Sequence, residues 1–416
     1  MLTDWLGLAT LHPERVGSLT LVSPQPMDAA VLQALGSRLL VVTGDQGPPA
    51  ENVRRLLTRL PQAATYTLRD YTSLPWSDVM AERVAEIAPV MTDFLDRVGQ
   101  GEPIAPVSLL EQQGEAAGIS YHIRGAGPPL VLMPLDLTPS QWEPLIPVIS
   151  ARYCTITLGG PMLGPPSLLE GRGRSNYLNV IRGVLDAARI QPAEAILEVG
   201  PGSGVVVREL ARRTAGANPI IGVDINEYLL REALSLAKRE GLSEMIDFRE
   251  GSAEALPLAG NTVDVALSFT VMEEGNADRM LAELVRVTRP GGRVAVIVRA
   301  VDVPAWVNLP LSAALRAKTQ RPGLFGSGMS EGGCADASLY SRFSAAGLTE
   351  LTFFPQFAAV TPAAEAVRLD GSAKQILASL NSDETADWQE AMTKAKANGT
   401  FFIAMPHHCA IGTKPR

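Results

Sequence analysis

The chain has 416 residues, a formal net charge of −8, and 46% hydrophobic against 19% charged residues. This length suggests two or three domains, each long enough to bury a core, and the composition is that of a globular chain rather than a disordered one. An acidic balance without a basic stripe argues against nucleic acid as a partner. No membrane span is expected, because a charged residue or proline interrupts every apolar stretch. The start, "MLTDWLGLATLHPERV", lacks the basic residues and cleavage site of a signal peptide. Cys154, Cys334 and Cys409 are far apart and odd in number, which fits reduced thiols in a cytoplasm and no metal site.

In chain order, "RVGSLTLVSP" and "SRLLVVTGD" predict buried strands, and "SDVMAERVAEIAPVMTDFLDRV" predicts an amphipathic helix. "GQGEPIAP" reads as a linker, and "ISYHIRGAGPPLVLMPL" as two further strands. The Gly- and Pro-rich stretch "LGGPMLGPPSLLEGRGRS" marks the main boundary, dividing the chain into 1–168 and 169–416.

From about residue 175 strands and helices alternate. "EAILEVG", "PIIGVDI", "MIDFREG", "VDVALSF" and "RVAVIVRA" read as short apolar strands. Between them lie the helical patterns "GVVVRELARRTAG", "NEYLLREALSLAKREGL" and "ADRMLAELVRVTRP", with a turn expected at Gly291-Gly292. Such alternation predicts a parallel sheet covered on both faces. "SLYSRFSAAGL", "TELTFFPQFAAV" and "GTFFIAMPHHCAIGTKP" follow as a helix and two strands.

The informative stretch is "AILEVGPGSGVVVREL". Gly200, Gly202 and Gly204 sit between a strand and a helix. There they permit a tight turn, close backbone approach to a ligand, and close helix–strand packing. Asp224 closes the next strand, twenty residues after Gly204, where a carboxylate can accept both hydroxyl protons of a ribose. The plainer alternatives are turn geometry for the glycines and a helix cap for Asp224.

With "GSAEALPL" (251–258), "NTVDVALSFTVMEE" (261–274) and "LAELVRVTRPGGRVAVIV" added, residues 175 to 415 resemble class I S-adenosylmethionine-dependent methyltransferases, of the ubiquinone/menaquinone-biosynthesis type. The resemblance implies an α/β fold with a Rossmann-like sheet and S-adenosyl-L-methionine as cofactor. It places Glu198, Gly200, Gly202, Gly204, Asp224, Ile225, Ser252, Ala253 and Ser268 around that cofactor. Ser252 stands where many relatives carry an Asp for the adenine amino group, and its hydroxyl can substitute. Ser268 either lines the cofactor or caps the segment after its strand.

Glu273 and Glu274 are the candidate catalytic acids, against the plainer role of complementing a helix N-terminus. His407 and His408 point to opposite faces of the last strand, which favours structural roles. The Gly-rich "RPGLFGSGMSEGGCADASLY" is expected to cover the acceptor site. Helical additions carrying Leu369, Ile376 and Leu377 wall a lipophilic acceptor or simply pack a core.

The first part resembles an α/β-hydrolase in swapped order. Residues 1–100 are similar to the C-terminal half of that fold and 101–168 to its N-terminal half. No G-x-S-x-G occurs before the first helix; Gly47 stands near the place of the triad acid, Ser73 near that of the histidine, and Pro134-Leu135 in place of the oxyanion His-Gly. Residues 1–168 therefore read as a smaller, non-catalytic α/β-hydrolase-like module that supports a homodimer. The expected function is methylation of a small, lipophilic acceptor in a biosynthetic pathway. The rivals are a fold using S-adenosylmethionine without methyl loss, for a cyclisation, rearrangement or decarboxylation, and an inactive scaffold.

Overall fold

The computed structural model describes residues 12–24, 27, 29–72, 78–99, 111–116, 119–135, 139–159, 163, 169–171, 173, 175–324, 330–361, 372–373 and 375–416. Two compact units divide the chain, Met1–Ser167 and Leu168–Arg416.

The first unit holds two sheets. Strands β1 (Leu19–Val22), β2 (Leu39–Gly44) and β3 (Ala64–Leu68) pair in parallel in that order. Strands β4 (Gln112–Ala116), β5 (Ile119–Arg124), β6 (Pro129–Leu132) and β7 (Cys154–Gly159) form a sheet of order β4-β5-β7-β6. Its first two pairings are antiparallel and its last is parallel. Helix α1 (Gly47–Leu57) follows β2. The expected amphipathic helix is α2 (Val79–Gly99), non-helical at Arg83 and carrying Pro89. Phe94 of α2, Val42 of β2, Leu132 of β6 and Trp142 belong to one buried cluster, so both sheets share a core.

The second unit is built on an eight-stranded sheet. Its strands are β8 (Ile196–Val199), β9 (Ile220–Asp224), β10 (Ile246–Glu250), β11 (Val263–Phe269), β12 (Thr288–Arg299), β13 (Trp306–Val307), β14 (Thr349–Val360) and β15 (Ile403–Thr413). The order β10-β9-β8-β11-β12 is parallel throughout, and β15 runs antiparallel to β12, β13 and β14. The turn expected at Gly291-Gly292 instead lies inside β12. The pairing register jumps between Val263↔Thr288 and Val265↔Arg293, and Gly291 has φ +80°, so the chain turns out of the ladder at the glycines before rejoining it.

Helices α3 (Tyr177–Ala187), α4 (Val205–Thr214), α5 (Glu227–Arg239) and α6 (Ala277–Val287) flank the sheet. Their apolar residues join the strands in two clusters, Val184 and Leu210 with Ile196 of β8 in one, Leu281 and Leu284 with Val296 of β12 in the other. Both faces are thus buried, which is why the central strands are apolar throughout rather than alternating. Later come α7 (Ala313–Thr319), α8 (Ser338–Ala345) and α9 (Ser382–Ala397). Asn381 caps α9 in a reciprocal arrangement with Glu384. Trp388, Phe401, Leu315 and Ile376 form a third cluster beyond β12, with Leu377 packed against it. Leu369 lies outside the described residues.

Among the described residues no helix is long and apolar enough to cross a membrane. No group of three His, Cys, Asp or Glu side chains among them is placed to hold a metal. The three cysteines are buried free thiols.

Candidate functional site

The carboxyl ends of β8, β9 and β11 meet at the glycine loop, the edge where open α/β sheets bind ligands. Gly200, Gly202 and Gly204 have φ of +73°, +55° and +85°, a region L side chains rarely adopt. The close approaches are specific. A Cβ on Gly200 would stand 2.3 Å from a Val271 methyl, one on Gly204 3.0 Å from the Ala233 Cβ, and one on Gly202 3.1 Å from a Leu169 methyl. Gly202 is expected to approach a ligand; the nearest protein atom is Leu169, from the segment preceding α3.

Asp224 is turned into this loop. Its two carboxylate oxygens accept the backbone N–H of Gly202 at 3.0 Å and of Asn226 at 2.9 Å. Burial pushes its carboxyl above the usual carboxylate range, against the backbone bonds that pull it down. Asn226, not Asp224, caps α5, accepting from Tyr228 and Leu229 N–H. The next residue, Ile225, is 61% exposed, an aliphatic side chain held out beside a buried acid. Glu198 is buried at the end of β8 and Ser268 at the same level of β11, where it pairs with Val199. The Ser252 hydroxyl oxygen accepts the Glu254 N–H at 3.2 Å, which leaves its own proton to donate; Ala253 follows, half-buried.

The two candidate acids differ. Glu273 is 3% exposed, and its carboxylate accepts the Arg299 backbone N–H at 2.7 Å while pairing with the Arg299 side chain. This binds the turn after β11 to the end of β12. Glu274 is exposed. In the Gly-rich segment residues 325–329 lie outside the described residues; Ser330 and Cys334 donate their N–H groups to Glu273 O and Met272 O. Ser73 also lies outside the described residues. Gly47 begins α1 with φ +74°, and His122 of β5 has a ring nitrogen 3.4 Å from Glu111.

Two groups are not apparent in the sequence. Glu170 accepts the Ser203 hydroxyl at 2.7 Å and pairs with Arg208, which also pairs with Glu240. Arg208 is 3% exposed, so this network ties the glycine loop, α4, the end of α5 and the segment before α3 through one buried guanidinium. The available signal is a charge on the apolar face of "VVVREL". The second group is His408, whose ring bridges Asp302 and Tyr340. His407 faces the opposite side against the Tyr177 ring, at 4.9 Å between centroids.

The methyltransferase domain family matches residues 197–296. The chain carries a methyltransferase domain. Its cofactor is S-adenosylmethionine. Two curated relatives are ubiquinone/menaquinone biosynthesis C-methyltransferases UbiE. That of Hahella chejuensis is 28% identical over 148 residues, covering 33% of this chain and 59% of the relative. That of Acidiphilium cryptum is 39% identical over 105 residues, covering 25% and 41%. The chain thus spans about half the length of the curated relatives it matches. Among solved structures, the YcgJ protein of Bacillus subtilis covers 56% of this chain and 97% of its own, at 18% identity and TM-score 0.40.

The residues present fit this cofactor. Asp224 would offer a buried acceptor to ribose hydroxyls, Ile225 an apolar surface to a flat ring, and the glycine loop a cradle that side chains would obstruct.

Proposed function

We propose that the chain is an S-adenosylmethionine-dependent methyltransferase acting on a small, lipophilic acceptor in a biosynthetic pathway. The observation that carries this reading is the pair Asp224–Ile225, a buried carboxylate followed by an aliphatic side chain 61% exposed, beside three left-handed glycines. In this reading Asp224 accepts the ribose hydroxyls and Ile225 packs on the adenine. Ser252 and Ala253 meet its edge, while Glu198, Gly200, Gly202, Gly204 and Ser268 enclose the rest. When bound, S-adenosylmethionine supplies an electrophilic methyl group on a sulfonium sulfur. The chain's own work is to orient the acceptor and exclude water.

The curated relatives are named for C-methylation in quinone biosynthesis, which supports an electron-rich aromatic acceptor here. Trp388, Phe401, Leu315 and Ile376 are buried against one another, which favours core packing over an acceptor wall for the helical additions. The bonds of Glu273 to Arg299 suit it to shaping the site, and the exposed Glu274 is the one of the two that an acceptor can reach. The decisive assay is S-adenosylhomocysteine release with reduced 2-methylnaphthoquinone, with mass spectrometry of the acceptor. Release together with a methylated product supports the reading; a cofactor-dependent product without release would replace it by non-methylating chemistry.

The reading extends to residues 1–168 as a non-catalytic, half-swapped α/β-hydrolase-like module. An all-parallel sheet followed by a mixed sheet that opens on antiparallel strands, the two sharing one core, supports it. Its edge strands need cover, and a twofold homodimer supplies it. Light scattering of the full chain tests this, and a monomer at micromolar concentration would contradict it.

A further inference from the structure

The methyl-transfer reading leaves open where an acceptor's acidic proton goes. We propose that Asp302, held by His408, whose ring Tyr340 holds in turn, receives that proton from a phenolic or enolic hydroxyl of the acceptor. The inference rests on the reading above and adds a residue to it.

Three elements bring the group together. Asp302 lies three residues beyond the end of β12, at the carboxyl edge of the sheet. His408 comes from β15, opposite Val298 of β12. Tyr340 lies in the first turn of α8. One ring nitrogen of His408, Nε2, is 2.8 Å from Asp302 Oδ1, and the other, Nδ1, is 2.7 Å from the Tyr340 hydroxyl. The second Asp302 oxygen accepts the Ala337 N–H at 3.2 Å.

Chemistry assigns the protons. A carboxylate only accepts, so Nε2 carries the proton that reaches Asp302. Burial pushes the Tyr340 phenol up to about 12, so it stays protonated and donates to Nδ1. The two partners thereby fix one tautomer of the imidazole, with its ring edge-on to Tyr340 at 84°. Asp336 also faces His408, and Arg342 faces Asp336 from α8.

Exposure gives the chain a direction. The His408 side chain is 6% exposed and that of Asp302 37%. The acid is therefore the end that a ligand reaches, and the buried imidazole and phenol are positioning residues behind it. A helix cap alone would need only the bond to Ala337. It would not call for a buried imidazole and phenol behind the other oxygen, whose polar atoms each require a partner.

The place is also right. β12 is the second strand from β8 in the sheet order, about 10 Å away at the usual strand spacing. It lies on the side opposite β9 and its ribose acid. In the step, the acceptor O–H bond breaks, its electron pair stays on oxygen, and the proton joins an Asp302 oxygen. The resulting anion would be the nucleophile; S-adenosylmethionine, when bound, would supply the methyl group and leave as neutral S-adenosylhomocysteine, and methylation on a ring carbon would then release that carbon's proton to solvent as aromaticity returns.

The test uses the full chain and two readouts. The first is affinity for 4-nitrophenol, followed by its absorbance at a pH where it is neutral. Asp302→Asn keeps the acceptor for Ala337 but loses the charge-assisted bond, so affinity should fall about tenfold or more. The second is S-adenosylhomocysteine release with reduced 2-methylnaphthoquinone. It should fall by about 10²- to 10⁴-fold in Asp302→Asn, with a partial return in Asp302→Glu and a smaller loss, in kcat rather than KM, in Tyr340→Phe. S-adenosylmethionine affinity and melting temperature should stay at the wild-type values. A wild-type chain that ignores 4-nitrophenol, or an Asp302→Asn chain that binds it equally well, overturns the proposal. Absence of release from a wild-type chain that binds the phenol through Asp302 would instead overturn the methyl-transfer reading.

Discussion

Both units are α/β, but they place their buried charges differently. Among the described residues of the first unit, Asp78 is the one buried acid, and its carboxylate accepts the Ala81 N–H at the start of α2. In the second unit Glu198, Asp224, Glu273, Arg208, Glu170 and His408 are all buried. Asp224 and Glu198 sit at strand carboxyl ends, Glu273 just beyond one, and Arg208 and Glu170 against the glycine loop. Burying charge is costly unless it is paired and hydrogen-bonded. A fold that concentrates such groups along one edge of a sheet is organised around a ligand, whereas a sheet and its covering helices alone require none.

The largest expected effect comes from Arg208. Arg208→Ala leaves the buried Glu170 without its cation while Glu240 keeps Arg212, so the second unit should lose about 3–5 kcal/mol in denaturant unfolding. The counterpart in the first unit is the exposed pair Arg152–Asp96 at 2.7 Å, and Arg152→Ala there should cost at most about 1 kcal/mol. Equal losses would erase the contrast.

Glycine substitutions sharpen it next. Gly200→Ala forces a side chain into left-handed backbone and against Val271, at a cost of about 1–3 kcal/mol before any clash is relieved. It should also abolish cofactor binding. Gly47→Ala in the first unit meets a Thr72 methyl at 3.0 Å and should cost about 1–2 kcal/mol while leaving cofactor affinity untouched.

The acids separate the units by pH. Burial raises the carboxyls of both Asp78 and Asp224. The folded state therefore holds each proton more tightly than the unfolded chain. Stability from either group is present at low pH and lost as pH rises from the ordinary carboxylate range through the raised value. In the proposed site only Asp224 would meet a ligand that prefers its ionised form, so S-adenosylmethionine affinity should rise with pH across that window. Asp224→Asn should flatten the dependence, and Asp78→Asn should leave it in place.

How much could be read in advance differed in the same way. The strands β8, β9, β11 and β12 and the helices between them were legible because strands buried on both faces are apolar runs and helices buried on one face keep a helical period. Three strands of the first unit were not, β7 ("CTITLG") among them. β4, "QQGEA", is nearly all exposed and has no apolar alternation, and β3, "ATYTL", is too short and mixed to stand out. The glycine loop was legible from glycine spacing, and the neighbouring acid from its place at the end of β9. The Asp302–His408–Tyr340 group was not, because 106 residues separate Asp302 from His408. The pairing of β15 with β12 puts His408 level with Val298, one residue from the carboxyl end of β12.

The smallest effect is expected from the first unit's own chemistry. The full chain should not hydrolyse activated esters above background, and His122→Ala should change neither that result nor stability by more than about 1 kcal/mol. Turnover, especially turnover that survives Ser73→Ala, would show a hydrolytic site and remove the distinction between the units.

The most direct measurement is calorimetric titration of S-adenosylmethionine into the full chain and into Asp224→Ala. The geometry at the ends of β8 and β9 predicts one saturable site per chain, and an affinity weaker in the variant by about 1.5–3 kcal/mol, the scale of a lost charge-assisted hydrogen bond. No binding by the wild-type chain, or the same affinity in the variant, would contradict the assignment of this edge as the cofactor site.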